Sequence, residues 1–106
     1  MDELLARQSV LVCGPVLAEL LAGAPAERRA DLWHALEALP WAELGRVEWR
    51  RVGELAHDLR MSGASLPLTD LEIAVAAVSA GASLWTRDDD FERIRSALPE
   101  LELVSP

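Results

Sequence analysis

At 106 residues, 51% hydrophobic and 26% charged, the chain has the size and composition of one globular domain with a single core. Eighteen acids against ten bases give a formal charge of −8, which opposes general binding to a phosphate backbone, so a nucleic-acid role requires a local cationic patch or a bound divalent ion. No apolar run reaches the roughly 18 residues that span a bilayer, and Met1-Asp2-Glu3 is unlike a signal peptide, so a cytoplasmic protein without a membrane partner is expected.

In chain order, Asp2 to Arg7 reads as a short helical piece without an N-cap. Ser9 to Cys13 is a strand with β-branched content, and its lone cysteine can form neither an internal disulfide nor a cysteine-based zinc site. Gly14-Pro15 breaks it and opens a helix, Val16 to Ala22, with Gly23 as the C-cap. Within that helix Glu19 stands among apolar neighbours. Buried and unpaired it would cost several kcal/mol or take up a proton, so either it has a partner or the helix keeps a narrow solvent face there.

Pro25-Ala26-Glu27 starts a third helix in which Leu32, Leu36 and Leu39 line up beside Trp33, and Pro40 ends it. Trp41 to Leu44 is a short strand candidate. After Gly45 a helix over Arg46 to Arg60 carries an apolar stripe of Trp49, Val52, Ala56 and Leu59, with Glu48, Arg51, Glu54 and Asp58 toward water. His57 and His34 lie in different helices and read as structural. A polar loop, Met61 to Ser65, leads to Pro67-Leu68-Thr69-Asp70 and a helix, Leu71 to Ala80, apolar on almost every side. Ser83 to Thr86 is a strand, Asp88 to Leu98 a helix with an acidic first turn, and Leu101 to Val104 a final edge strand. Strands separated by helices in this order predict an α/β domain with a mainly parallel sheet.

Several acids have simple local explanations. Thr69 and Glu72 stand three apart, as in a capping box, with Asp70 in the first turn where the helix dipole favours a carboxylate. Asp88 or Asp89 serves as the N-cap of the last long helix. Taken together they have a common geometry. In open α/β sheets ligands gather outside the carboxyl ends of strands, and Glu19, Asp70 and Asp88 to Asp90 can converge on one such edge. Carboxylates without histidine or cysteine suit a hard cation such as Mg2+ or Mn2+, which orients and activates water and offsets charge building on a phosphodiester.

Three segments in succession, Gly14-Pro15-Val16-Leu17-Ala18-Glu19-Leu20-Leu21-Ala22-Gly23, Pro67-Leu68-Thr69-Asp70 and Thr86-Arg87-Asp88-Asp89-Asp90-Phe91, resemble the motifs of PIN-domain ribonucleases, specifically the VapC toxins of bacterial toxin–antitoxin pairs. The resemblance runs over nearly the whole chain. It implies a three-layer α/β/α domain over residues 1–106 and a Mg2+- or Mn2+-dependent endoribonuclease that cuts RNA, pairs with a cognate antitoxin and forms a homodimer. By position it makes Glu19, Asp70 and Asp88 the catalytic, metal-holding acids, with Asp90 a further ligand or support and Thr86 a hydroxyl at the strand end. Asp89 is left to solvent. The family opens with a central strand ending in an aspartate that is its first metal ligand. Here Met1 falls in what corresponds to the helix after that strand, so the resemblance predicts an N-terminally incomplete domain whose first, central strand is absent from this chain. The alternative function is a non-catalytic, shortened PIN-like domain acting through dimerisation or antitoxin binding. The apolar positions Val16, Leu20, Trp33 and Leu36 then serve as an interface rather than as core.

Overall fold

A computed structural model of the chain describes residues 14–86 and 88–104. The helical piece expected over Asp2 to Arg7 and the strand over Ser9 to Cys13 lie outside them. The chain divides into two units, one ending at Glu43 and one beginning at Leu44.

In the first unit, α1 (Gly14–Gly23) is followed by a 3-10 turn (Ala26–Arg28) and α2 (Arg29–Glu37). Proline suits the first turn of α1, where its missing N–H would lack a helical partner in any case. The third helix of the sequence reading is thus split, and it stops at Glu37, before Leu39. Of the predicted leucine line only Leu36 is fully buried; Leu32 and Leu39 are half-buried. The strand expected over Trp41 to Leu44 is reduced to a single bridging residue, Trp41, and residues 42–45 are irregular. Trp41 also meets Trp33 edge to face, with ring centroids 6.4 Å apart and planes at 78°.

The second unit holds the main core. Its first helix, α3 (Arg46–Met61), is entered through Gly45, whose N–H donates to Glu48 Oε1 at 2.9 Å, satisfying one donor that the helix cannot. At the other end the backbone turns on Gly63, at φ +90°, so that its N–H reaches Arg60 O at 3.0 Å and the N–H of Ala64 reaches Leu59 O at 2.8 Å. This paired closure of the last carbonyls favours a residue without a Cβ at the left-handed position. The buried stripe of α3 is Val52, Leu55, Ala56 and Leu59. Trp49, expected in it, is half exposed, and Leu55 takes its place.

Next comes α4 (Leu68–Ser79), which begins two residues earlier than a capping box on Thr69 requires. Pro67 occupies the cap position without any side-chain bond, and its carbonyl accepts from Asp70 N–H at 3.1 Å and Leu71 N–H at 3.4 Å. The predicted box of Thr69 and Glu72 is therefore absent. Gly81, at φ +66°, closes α4 as Gly63 closes α3: its N–H meets Val78 O at 3.1 Å and the N–H of Ala82 meets Ala77 O at 2.9 Å.

That closure turns the chain into β1 (Leu84–Trp85), which pairs in parallel with β2 (Leu103–Val104), Leu84 opposite Leu103 and Trp85 opposite Val104. Between them α5 (Asp90–Ala97) makes the crossover that parallel strands require. The Ser83 to Thr86 and Leu101 to Val104 strands and the Asp88 to Leu98 helix are thus present in shortened form. Among the described residues the sheet is this one parallel pair, not the wider sheet expected. Leu71, Ala74 and Val75 of α4, Phe91 and Ile94 of α5, and Leu98 and Leu101 after it close on the α3 stripe as one apolar cluster. Arg51 on α3 also bonds the carboxylate of Glu100, and this hydrogen bond holds the Glu100 carboxyl below the ordinary range.

Candidate metal centre

Connectivity decides which acids meet. The chain runs along α4, reverses at Gly81 and runs back along β1, so the start of α4 and the residues after β1 arrive at the same end. There Asp70, Asp88 and Asp90 each offer a carboxylate oxygen, and these oxygens all lie within 4.8 Å of one another. Asp70 and Asp90 are half-buried and Asp88 is exposed.

The segment between β1 and α5 is shaped by its own polar groups. Thr86 Oγ1 accepts the N–H of Asp88 at 3.0 Å. Asp88 Oδ1 accepts the N–H of Asp90 at 2.9 Å, and the Asp88 carbonyl accepts that of Phe91 at 3.2 Å. Asp88 therefore provides the N-capping bond, although the helix proper begins at Asp90 and Asp89 occupies the formal cap without a side-chain bond. Asp89 is exposed. Arg93, one turn along α5, lies 3.9 Å from Asp90 Oδ1. Sequence reading did not single it out; the i, i+3 spacing of opposite charges was the available signal.

Three carboxylates so close repel one another. The N-terminal ends of α4 and α5, which carry partial positive charge, are where Asp70 and Asp90 sit, and Arg93 adds a loose cation. The donor set is all oxygen, which suits a hard divalent cation. Two oxygens on one Mg2+-sized ion stand at most about 4.2 Å apart, twice a bond of about 2.1 Å. A 4.8 Å spread thus closes with a small side-chain movement or with a retained water.

The fourth sequence candidate, Glu19, lies in the first unit, exposed on α1, whose Leu20 is also 46% exposed. The solvent-face alternative describes its surroundings on that helix.

The comparisons agree with this architecture. A family model described as "PIN domain" matches residues 1–97. No curated protein matches. A chain of the crystal structure of VapBC2 from Rickettsia felis, bound to a DNA fragment from their promoter, is similar over 97% of this chain and 80% of its own, with 28% identity and a TM-score of 0.72. A chain of VapBC-5 from Mycobacterium tuberculosis, a member of the VapBC family of toxin–antitoxin systems, is similar over 87% and 78%, with 28% identity and a TM-score of 0.63.

Proposed function

The chain belongs to the PIN-domain family, and on that premise we propose that residues 1–106 form one PIN-type domain acting as the toxin of a VapBC-type pair. Its activity is that of a Mg2+- or Mn2+-dependent endoribonuclease, restrained by a cognate antitoxin. One observation carries the reading. Acids from separate parts of the chain, Asp70 in the first turn of α4 and Asp88 and Asp90 after β1, converge within 4.8 Å in a chain whose structural relatives are VapBC proteins.

In this reading Asp70, Asp88 and Asp90 hold the cation, Glu19 is the further metal-holding acid that the family resemblance assigns, and Glu19, Asp70 and Asp88 are the catalytic acids. When bound, the ion supplies charge to offset the phosphodiester in its transition state and makes water a better nucleophile. The protein's own part is to keep the carboxylates in place. Two helix N-termini face Asp70 and Asp90 with partial positive charge, and the bonds from Thr86 through Asp88 to Asp90 fix the segment after β1. A chain of charge −8 gains little from nonspecific RNA attraction, so RNA contact depends on the ion. The antitoxin and a second copy of the chain are its protein partners. It works in the cytoplasm; among the described residues no helix is long and apolar enough to cross a membrane.

Cleavage of RNA by the purified chain, with Mn2+ or Mg2+ and then with a chelator, tests this directly. Cleavage that needs the ion is expected. A folded, monodisperse chain that neither binds Mn2+ nor cuts RNA would instead support the non-catalytic alternative, acting through dimerisation or antitoxin binding.

Thr86 provides a finer test. Thr86→Val keeps the branched shape but loses the acceptor for the Asp88 N–H, so Mn2+ affinity measured by calorimetry is expected to fall about 10- to 100-fold, as for other losses behind a metal ligand. Thr86→Ser retains the oxygen and is expected to bind nearly as the native chain does. Equal affinity in Val and Ser variants would remove Thr86 from the site.

A further inference from the structure

The outer side of α3 has no part in the core or in the acidic cluster, yet its pattern is not that of an ordinary solvated face. Residues four apart form the ridges of a helix surface, and two neighbouring ridges here have distinct characters. In one, Trp49 stands half exposed and Gly53 follows a turn later; a Cβ added at Gly53 would meet nothing within 4 Å. Together they make a knob beside a gap, in a shallow groove also lined by Arg50, Glu54, His57 and Asp58. Met61, 77% exposed, continues the Trp49–Gly53 ridge at the far end of the helix.

The other ridge reads Arg46, Arg50, Glu54, Asp58: two cations, then two anions. Such a row is complementary to itself when reversed. An antiparallel copy related by a two-fold axis near residue 52 sets Arg50 against the partner's Glu54 and Arg46 against the partner's Asp58. The same operation brings Trp49 between the partner's Gly53 and the partner's His57, where the absent side chain of the glycine leaves room. Within one chain Arg50 and Glu54 already pair, Nε to Oε1 at 3.2 Å. Their side chains are 80% and 63% exposed, so that pair is worth little and exchanges readily for one between chains.

We propose that the Arg46–Met61 helix is the contact between two copies of this chain, crossed antiparallel, with opposite charges matched and Trp49 seated beside the gap at Gly53. This rests on the reading that the chain self-associates and names the surface by which it does so. A single helix face is small beside the roughly 1,200–2,000 Å² of most stable complexes, so the dimer dissociates on dilution.

Sedimentation velocity of the full chain over a wide concentration range, at low salt, tests it. Arg50→Glu and Glu54→Arg are each expected to weaken dimerisation at least tenfold, since each sets like charges against each other. An equimolar mixture of the two variants is expected to restore it, because the glutamate introduced in one variant then faces the arginine introduced in the other. Both positions are exposed, so neither change burdens the core, and circular dichroism checks the fold; should either variant fail to fold, Trp49→Ser reads the same surface. A native chain that stays monomeric throughout overturns both the surface and the self-association. A dimer unaffected by the single variants, or a mixture that stays monomeric, overturns the surface alone. RNA cleavage is scored separately and decides neither.

Discussion

Asp70→Asn is expected to reduce Mn2+-dependent RNA cleavage by about 10²- to 10³-fold while leaving the fold intact. The substitution preserves shape and removes one negative charge from a group whose carboxylate oxygens lie within 4.8 Å. A loss of that size corresponds to about 3–4 kcal/mol of transition-state stabilisation, the range seen when one fixed electrostatic group is deleted from an active site. Asp70 lies in the first turn of α4, where the helix dipole favours a carboxylate. Thermal melting without metal, measured beside the cleavage, separates loss of the site from loss of the fold. Cleavage by Asp70→Asn at the native rate would exclude the cluster as the catalytic centre. Glu19→Gln belongs in the same assay. If it cuts as the native chain does, Glu19 leaves the set and the three aspartates remain to be judged by Asp70→Asn.

The largest effect on stability is expected from Ile94→Ala. Ile94 is fully buried on α5, among residues from α3 and α4. Truncating such a side chain costs about 2–5 kcal/mol, from lost transfer energy and from the cavity left behind. That is a large share of the roughly 5–15 kcal/mol available to a small domain, and chemical denaturation should register it as a marked fall in midpoint. Ile94→Val, at about 0.5–1.5 kcal/mol, provides the graded control. The consequence reaches the acids, because Ile94 lies one turn beyond Asp90 on the same helix. A helix of eight residues has little stability of its own and depends on such packing. Mn2+ affinity is thus expected to fall in Ile94→Ala even though no ligand is touched. A loss of stability under about 1 kcal/mol would mean that the α5 anchor is less tightly packed than its burial indicates.

How far the chain could be read without coordinates differs from element to element. The apolar character of Leu71 to Ala80 marked a buried helix, and Leu71, Ala74, Val75 and Ala76 are its fully buried positions. In α3 the periodicity identified the stripe but not its width. Trp49 and Leu55 lie on opposite flanks of Val52 and Ala56, both compatible with helical spacing, and only the partners of α3 decide which flank is covered. At Thr69 and Glu72 the spacing of a capping box was present, yet Pro67, with its fixed backbone angle, started the helix two residues too soon for Thr69 to cap it. Trp41 to Leu44 had strand composition, but a strand exists only with a neighbour to pair with, which local sequence does not specify.

The acidic cluster was legible for a different reason. Its convergence follows from connectivity, since a helix that turns directly into a strand brings its own start to that strand's end. What spacing alone left open was which of Asp88 and Asp89 caps α5, and that the capping residue, Asp88, also lies within reach of Asp70 and Asp90. It also left open the loose contact of Arg93 with Asp90.

The hydrogen bond from the Asp90 N–H to Asp88 Oδ1 makes one backbone proton a natural witness to the charge beside it. A cation drawing electron density from the Asp88 carboxylate weakens that acceptor, and the resonance of the Asp90 amide moves with it. Nuclear magnetic resonance of a single peptide group can thereby follow occupancy at the acids in solution, without turnover and without any substrate.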